Sequence, residues 1–173
     1  MNVAFDPRPT LPVTAHSAGD RWTLVFVKDL AHPPERVWAA LTEPGQVSAW
    51  APFRADRDLS APGRTTLAMV DGDTTVDLPA EILRSEPPKL LEYKWGDDLL
   101  RWELTPTEAG TRLTLHHTVG GRDLLAKVAA GWHLCLLVAE KLLDGAPIPP
   151  IRGQEALGYG WRDLHDEYAE KMQ

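Results

Sequence analysis

His133 and Cys135 stand two positions apart in the stretch AAGWHLCLLVAEKLLDG, residues 129–145. An imidazole and a thiol this close raise two chemistries, a nucleophilic pair and a metal site. On a helix, two positions are separated by about 200°, so the two side chains cannot reach one ion. Helical metal pairs use i, i+4 spacing for this reason. Cys135 falls inside an apolar stripe, where a thiol acts as a small hydrophobe and its reactive thiolate is suppressed. His133 lies at the flank of that stripe and is expected at the boundary of the core. His116 and His117 are adjacent in TRLTLHHTV (111–119), so in a strand they point to opposite faces. His117 shares the apolar face. There it is either a hydrogen-bonded core histidine or the polar handle that orients a ligand. Asp71, Asp73 and Asp77 alternate along a hairpin and read as solvated positions, and Asp97-Asp98 reads as a turn. No acid–base carboxylate pair emerges. Neither a phosphate-binding glycine loop nor a G-x-S-x-G elbow occurs. No catalytic residue, metal site or cofactor is expected.

Several elements must position these groups. Residues 1–20 carry prolines and small residues and are read as an extended N-terminal arm, with residues 21–173 as one domain. RWTLVFVKD (21–29) is β-branched and aromatic, a strand pattern. HPPERVWAALTEP (32–44) has prolines at a helix entry, Glu35 in the first turn and Pro44 at the exit. GQVSAWAPF (45–53) suggests a second short helix ending near Trp50. From Phe53 to Val119 the period becomes two. Asp71-Gly72 signals a hairpin. Val76, Leu78, Ala80 and Ile82 share a face, and Pro79 predicts an edge or a bulge in that strand. Leu91, Tyr93 and Trp95 share the next face, then Leu100, Trp102 and Leu104, then Leu113, Leu115, His117 and Val119. This is an antiparallel meander with one apolar side.

A long helix follows from about Arg122. Leu124, Leu125, Val128, Ala129, Trp132, Cys135, Leu136, Ala139, Leu142 and Leu143 form its stripe. Leu134, Leu137 and Val138 lie outside it and need a cover. One candidate is the C-terminal face Trp161, Leu164, His165 and Tyr168, and the other is a second copy of the chain. The order of elements describes an α+β helix-grip architecture. A curved antiparallel sheet wraps a long C-terminal helix, with two short helices after the first strand and an extra helical segment at the end.

The bulk numbers set limits. A chain of 173 residues with net charge -7 is long enough for a proper core and too acidic for a nucleic-acid partner. The single cysteine rules out an internal disulfide and fits a reducing compartment. No signal peptide and no membrane-spanning run is apparent, so a cytoplasmic protein is expected.

HPPERVWAALTEP, YKWGDDLLRWEL, GTRLTLHHT, AAGWHLCLLVAEKLLDG and WRDLHDEYAEKM together resemble the START-like, or SRPBCC, superfamily. Within it they resemble the bacterial branch named after the activator of heat-shock protein 90 ATPase, over about residues 21–172. The resemblance implies a helix-grip fold with a hydrophobic cavity between sheet and C-terminal helix. Members of the superfamily bind lipids, sterols, polyketides or plant hormones, and some are cyclases. It implies no universal catalytic residues to carry over. The eukaryotic chaperone activator has an additional N-terminal domain for which this chain has no room. One cysteine cannot hold a Rieske cluster.

The expected function is binding of a small hydrophobic or aromatic ligand between sheet and helix. The expected wall is Phe53, Met69, Val76, Leu78, Tyr93, Trp95, Trp102, Leu115, His117, Trp132, Cys135 and Leu136. The alternatives are a cyclase- or dehydratase-like enzyme built on His117 and Tyr93, and a chaperone-cofactor or protein-interaction module that includes a homodimer.

Overall fold

A computed structural model of the chain describes residues 11–71, 74–151 and 160–172. The strands are β1 (Val13–Ala18), β2 (Arg21–Leu30), β3 (Phe53–Ala55), β4 (Gly63–Asp71), β5 (Thr74–Glu86), β6 (Leu90–Trp95), β7 (Asp98–Pro106) and β8 (Thr111–Val119). The helices are α1 (Pro34–Thr42), α2 (Pro44–Val47), α3 (Leu125–Leu143), which a short 3-10 turn (Arg122–Leu124) introduces, and α4 (Trp161–Lys171). All eight strands form one antiparallel sheet in the order β1-β2-β8-β7-β6-β5-β4-β3. This is the helix-grip arrangement that the order of elements implied. Part of the expected arm is strand β1, paired with β2 from Val13↔Phe26 to Ala18↔Arg21.

Period two holds across the sheet, so apolar side chains line up in rows on the inner face. One row runs through Leu24, His117, Leu100, Tyr93 and Ile82, and the next through Phe26, Leu115, Trp102 and Leu91. All of these are buried. Pro79 does not mark an edge, because β5 lies between β6 and β4. The strand's irregularity falls between Ile82 and Arg84 instead. The N and O of one strand residue face the same side. Pro79 O accepts from Gly96 N–H (2.9 Å) in the β6–β7 turn. Its missing N–H therefore faces a turn, where β6 has already ended, and no ladder bond is lost. Of the expected Asp71-Gly72 turn, Asp71 is the last residue of β4, paired with Thr74, and Gly72 lies outside the described residues. The second short helix is only four residues long. Trp50 follows it, fully buried, and donates its Nε1–H to Ala40 O at 2.8 Å, which fixes the α1–α2 elbow.

Helix α3 crosses the inner face and is held firmly at its C-terminal end. Lys28, buried on β2, reaches Glu140 at 3.4 Å. His32 Nε2 bonds Asp144 at 2.7 Å, and Arg36 donates to Leu143 O at 3.1 Å. Leu143 O thus finds a side-chain donor, while the carbonyls of Glu140, Lys141 and Leu142 accept from the backbone N–H groups of Asp144, Ala146 and Gly145.

Leu134 and Val138 are fully buried, and Leu137 is half-buried. Helix α4 packs along α3 and brings Leu164 and Tyr168 into the core. The C-terminal segment supplies the cover. His133 is not at a boundary: it is 1% exposed. Its Nδ1 lies 2.6 Å from Tyr168 Oη, which also accepts from Leu11 N–H at 2.9 Å. One phenol therefore ties α4 to α3 and to the segment that leads into β1. Tyr168→Phe is expected to cost about 1–3 kcal/mol, read as a lower denaturant midpoint at unchanged m-value. Wild-type stability in this variant would show that the ties do not matter.

Candidate functional site

The N-terminal half of α3 does not close on the sheet. A cavity of about 290 Å³ opens there, lined by Pro52, Trp95, His117, Lys127, Val128, Gly131, Trp132, Leu134, Cys135, Ile151 and Trp161. A recess of about 360 Å³ where the start of α3 meets α4 is lined by Arg122, Asp123, Leu125, Ala126, His165, Ala169 and Met172. It lacks a tryptophan wall, so the first cavity is the candidate.

Its frame is aromatic. Trp132 projects from α3 onto Trp102 (5.3 Å between centroids, 87°), Trp95 (6.3 Å) and Trp50 (6.4 Å). Phe53 meets Trp95 edge-on at 5.0 Å. Trp161 stacks on His165 at 5.2 Å on the α4 side. Such edge-to-face contacts hold rings at fixed angles.

One hydrogen-bond chain sets the polar side. Trp132 donates Nε1–H to His117 Nδ1 at 2.8 Å, and His117 Nε2 lies 2.7 Å from Asp98 Oδ2. An indole N–H can only donate. His117 Nδ1 is therefore the acceptor, and Nε2 carries the proton given to Asp98. The imidazole is neutral, with one defined tautomer and no free nitrogen. Asp98 Oδ1 faces Arg21 at 3.6 Å. Asp98 is thus not a turn residue but the first residue of β7, on the same face as Leu100.

The expected residues fall into three groups. Trp95, His117, Trp132 and Cys135 line the cavity. Phe53, Tyr93, Trp102, Leu115 and Leu136 are buried in the core behind or beside it. Met69 and Leu78 are half-buried, and Val76 is 52% exposed. These last three sit where β5 runs past the end of β6, whose final pair is Ala80↔Trp95. Lys127, Val128, Gly131, Leu134, Pro52, Ile151 and Trp161 were not expected on the wall. Gly131 was detectable, since a glycine inside an apolar helical stripe lowers helix stability and calls for a reason. A Cβ built on it meets nothing within 4 Å.

His117 and Tyr93 do not pair, because Leu100 stands between them in the row. Tyr93 Oη accepts from Trp102 Nε1–H at 3.1 Å. Burial pushes the Tyr93 phenol well above its ordinary value, and does the same to Tyr168. Among the described residues, no group of three or more His, Cys, Asp or Glu is placed to hold a metal ion, and no helix is long and apolar enough to cross a membrane.

An antiparallel sheet gripping a long helix, with an aromatic cavity at one end of the grip, defines a helix-grip protein of the START-like class. The chain belongs to the family described as Activator of Hsp90 ATPase homolog 1-like protein, matched over residues 31–143. Solved structures agree. Protein MLL2253 from Mesorhizobium loti is 28% identical, with 73% of this chain and 99% of that chain covered at a TM-score of 0.62. CalU16 from Micromonospora echinospora is 21% identical over 92% and 95%, at 0.68. DynU16, described as a protein of the dynemicin biosynthetic locus, is 23% identical over 79% of this chain and 52% of its own, at 0.66. No curated protein matches.

The two buried tyrosines make a pH prediction. Their folded-state values lie above the unfolded value near 10. The stability they contribute is complete below that pH and is lost as pH rises beyond it. In an alkaline titration followed by phenolate absorbance and circular dichroism, Tyr93 and Tyr168 should ionise only as the fold is lost. Phenolate signals from both in a fully folded protein would contradict their burial.

Proposed function

We propose that the protein binds a small, ring-containing apolar molecule in the cavity between Trp95, His117 and Trp132. The observation that carries this reading is a cavity of about 290 Å³ with a tryptophan wall. That volume is at the lower end of ligand pockets, about 300–1,000 Å³, so it suits one or two fused rings. Gly131 supports the reading. A glycine at that helical position lowers stability by roughly 0.5–1 kcal/mol relative to alanine, and a side chain there would project into open space. The family and its likeness to solved helix-grip structures fit a ligand-binding fold. The cyclase- or dehydratase-like alternative draws no support from His117, whose two nitrogens are both engaged. The single cysteine fits a reducing, cytoplasmic setting.

A molecule that binds only the native state raises its stability by mass action. Thermal unfolding with 2-naphthol should therefore show a concentration-dependent rise in Tm, with quenching of tryptophan fluorescence. Gly131→Ala should stabilise the empty protein by about 0.5–1 kcal/mol. Gly131→Leu should fold and abolish the 2-naphthol effect by filling the space. If wild type shows no shift at millimolar 2-naphthol, or if Gly131→Leu retains the full shift, the cavity is not the binding site.

A further inference from the structure

The cavity wall has an unbalanced set of polar groups. Among the described residues its lining carries no side-chain oxygen. The acceptor nitrogen on it, His117 Nδ1, is taken by Trp132, and that bond also uses the Trp132 N–H. Two donors remain. Trp95 Nε1–H has no hydrogen-bond partner, but it is buried away from the open space and is not offered to a ligand. Lys127 is exposed at the edge of the wall. Among the described residues its ammonium has no ion-pair partner within 4.0 Å, although Asp123 stands one helical turn earlier. A ligand seated here thus meets an apolar ring surface and, at its edge, one unpaired cation. In a chain of net charge -7 the long-range field disfavours anions, so a lone cation beside the cavity selects at short range.

We infer that the ligand is an aromatic acid, its ring against Trp95 and Trp132 and its carboxylate toward Lys127. The inference rests on the cavity reading above and narrows it to an anionic class of molecule.

The test uses three probes with one ring system: 2-naphthoate, 2-methylnaphthalene and 2-naphthylmethylammonium. Affinities are read by tryptophan quenching on the full chain. In wild type, 2-naphthoate should bind about fivefold tighter than 2-methylnaphthalene at low salt, a partly exposed ion-pair effect that shrinks as salt is added. Lys127→Gln should bring those two affinities together, and Lys127→Glu should make the ammonium probe bind better than the carboxylate. Lys127 is exposed, so both variants keep the fold. Equal wild-type affinities for 2-naphthoate and 2-methylnaphthalene, or a preference that persists in Lys127→Gln, would overturn the inference and leave the cavity reading standing. Failure of all three probes to bind would overturn both.

Discussion

The bond from Trp132 Nε1–H to His117 Nδ1 is the interaction on which the rest of the site depends. It is the polar tie between the open end of α3 and the sheet. It fixes the rotation of the helix about its axis, because only one rotation lays Trp132 on His117. With that rotation set, Gly131 and Cys135 face the cavity and Leu136 turns into the core. The tie works only while every member is satisfied. Asp98 completes it by taking the Nε2–H, and Arg21 faces the other Asp98 oxygen. His117 is thereby engaged at both ring nitrogens in holding the architecture.

The two ends of α3 are built differently, and that difference makes the cavity. At the C-terminal end, Lys28, His32 and Arg36 clamp the helix, and Ala139 and Leu143 pack closely. At the N-terminal end the helix carries Val128 and Gly131 opposite large, rigid rings. Those rings brace one another edge-on: Trp50, Trp95, Trp102, Trp132 and Phe53. A braced aromatic frame cannot collapse into the space that a glycine leaves, because interiors relax only partially around a missing side chain. The cavity follows from stiff walls around a small residue, at the point where the clamp ends.

Much of this was legible in the sequence because the sheet obeys a strict period of two from Leu90 to Val119. The inward placement of His117, Tyr93, Trp95 and Trp102 and the antiparallel order followed from it. The helix stripe was legible too, and the face Trp161, Leu164, His165 and Tyr168 stood as one of two candidates for covering its outer side. What was not legible depends on contacts between distant segments. His133 looked like a boundary residue because its burial comes from Tyr168, 35 positions away. Asp98 looked like a turn because its partner His117 is 19 positions away. Val76 shares its face with Ile82, but strand length alone decides that one end of that face reaches past β6. Pro79 could sit inside the sheet because its neighbour on that side is a turn, which a pattern of residues along one strand does not reveal. The fold class is shared with solved structures at low identity.

The central claim is that a ring-bearing molecule lies against Trp95 and Trp132, and the indole N–H groups report on it directly. The measurement is a ¹H–¹⁵N spectrum of the tryptophan indoles during titration with 2-naphthoate. The account predicts that the Trp95 resonance moves, as its indole gains a ring neighbour. Trp132 should move with it, and Trp38, packed in α1 away from the cavity wall, should stay. Shifts confined to indoles off the cavity wall, or an unchanged Trp95 at saturating 2-naphthoate, would contradict it.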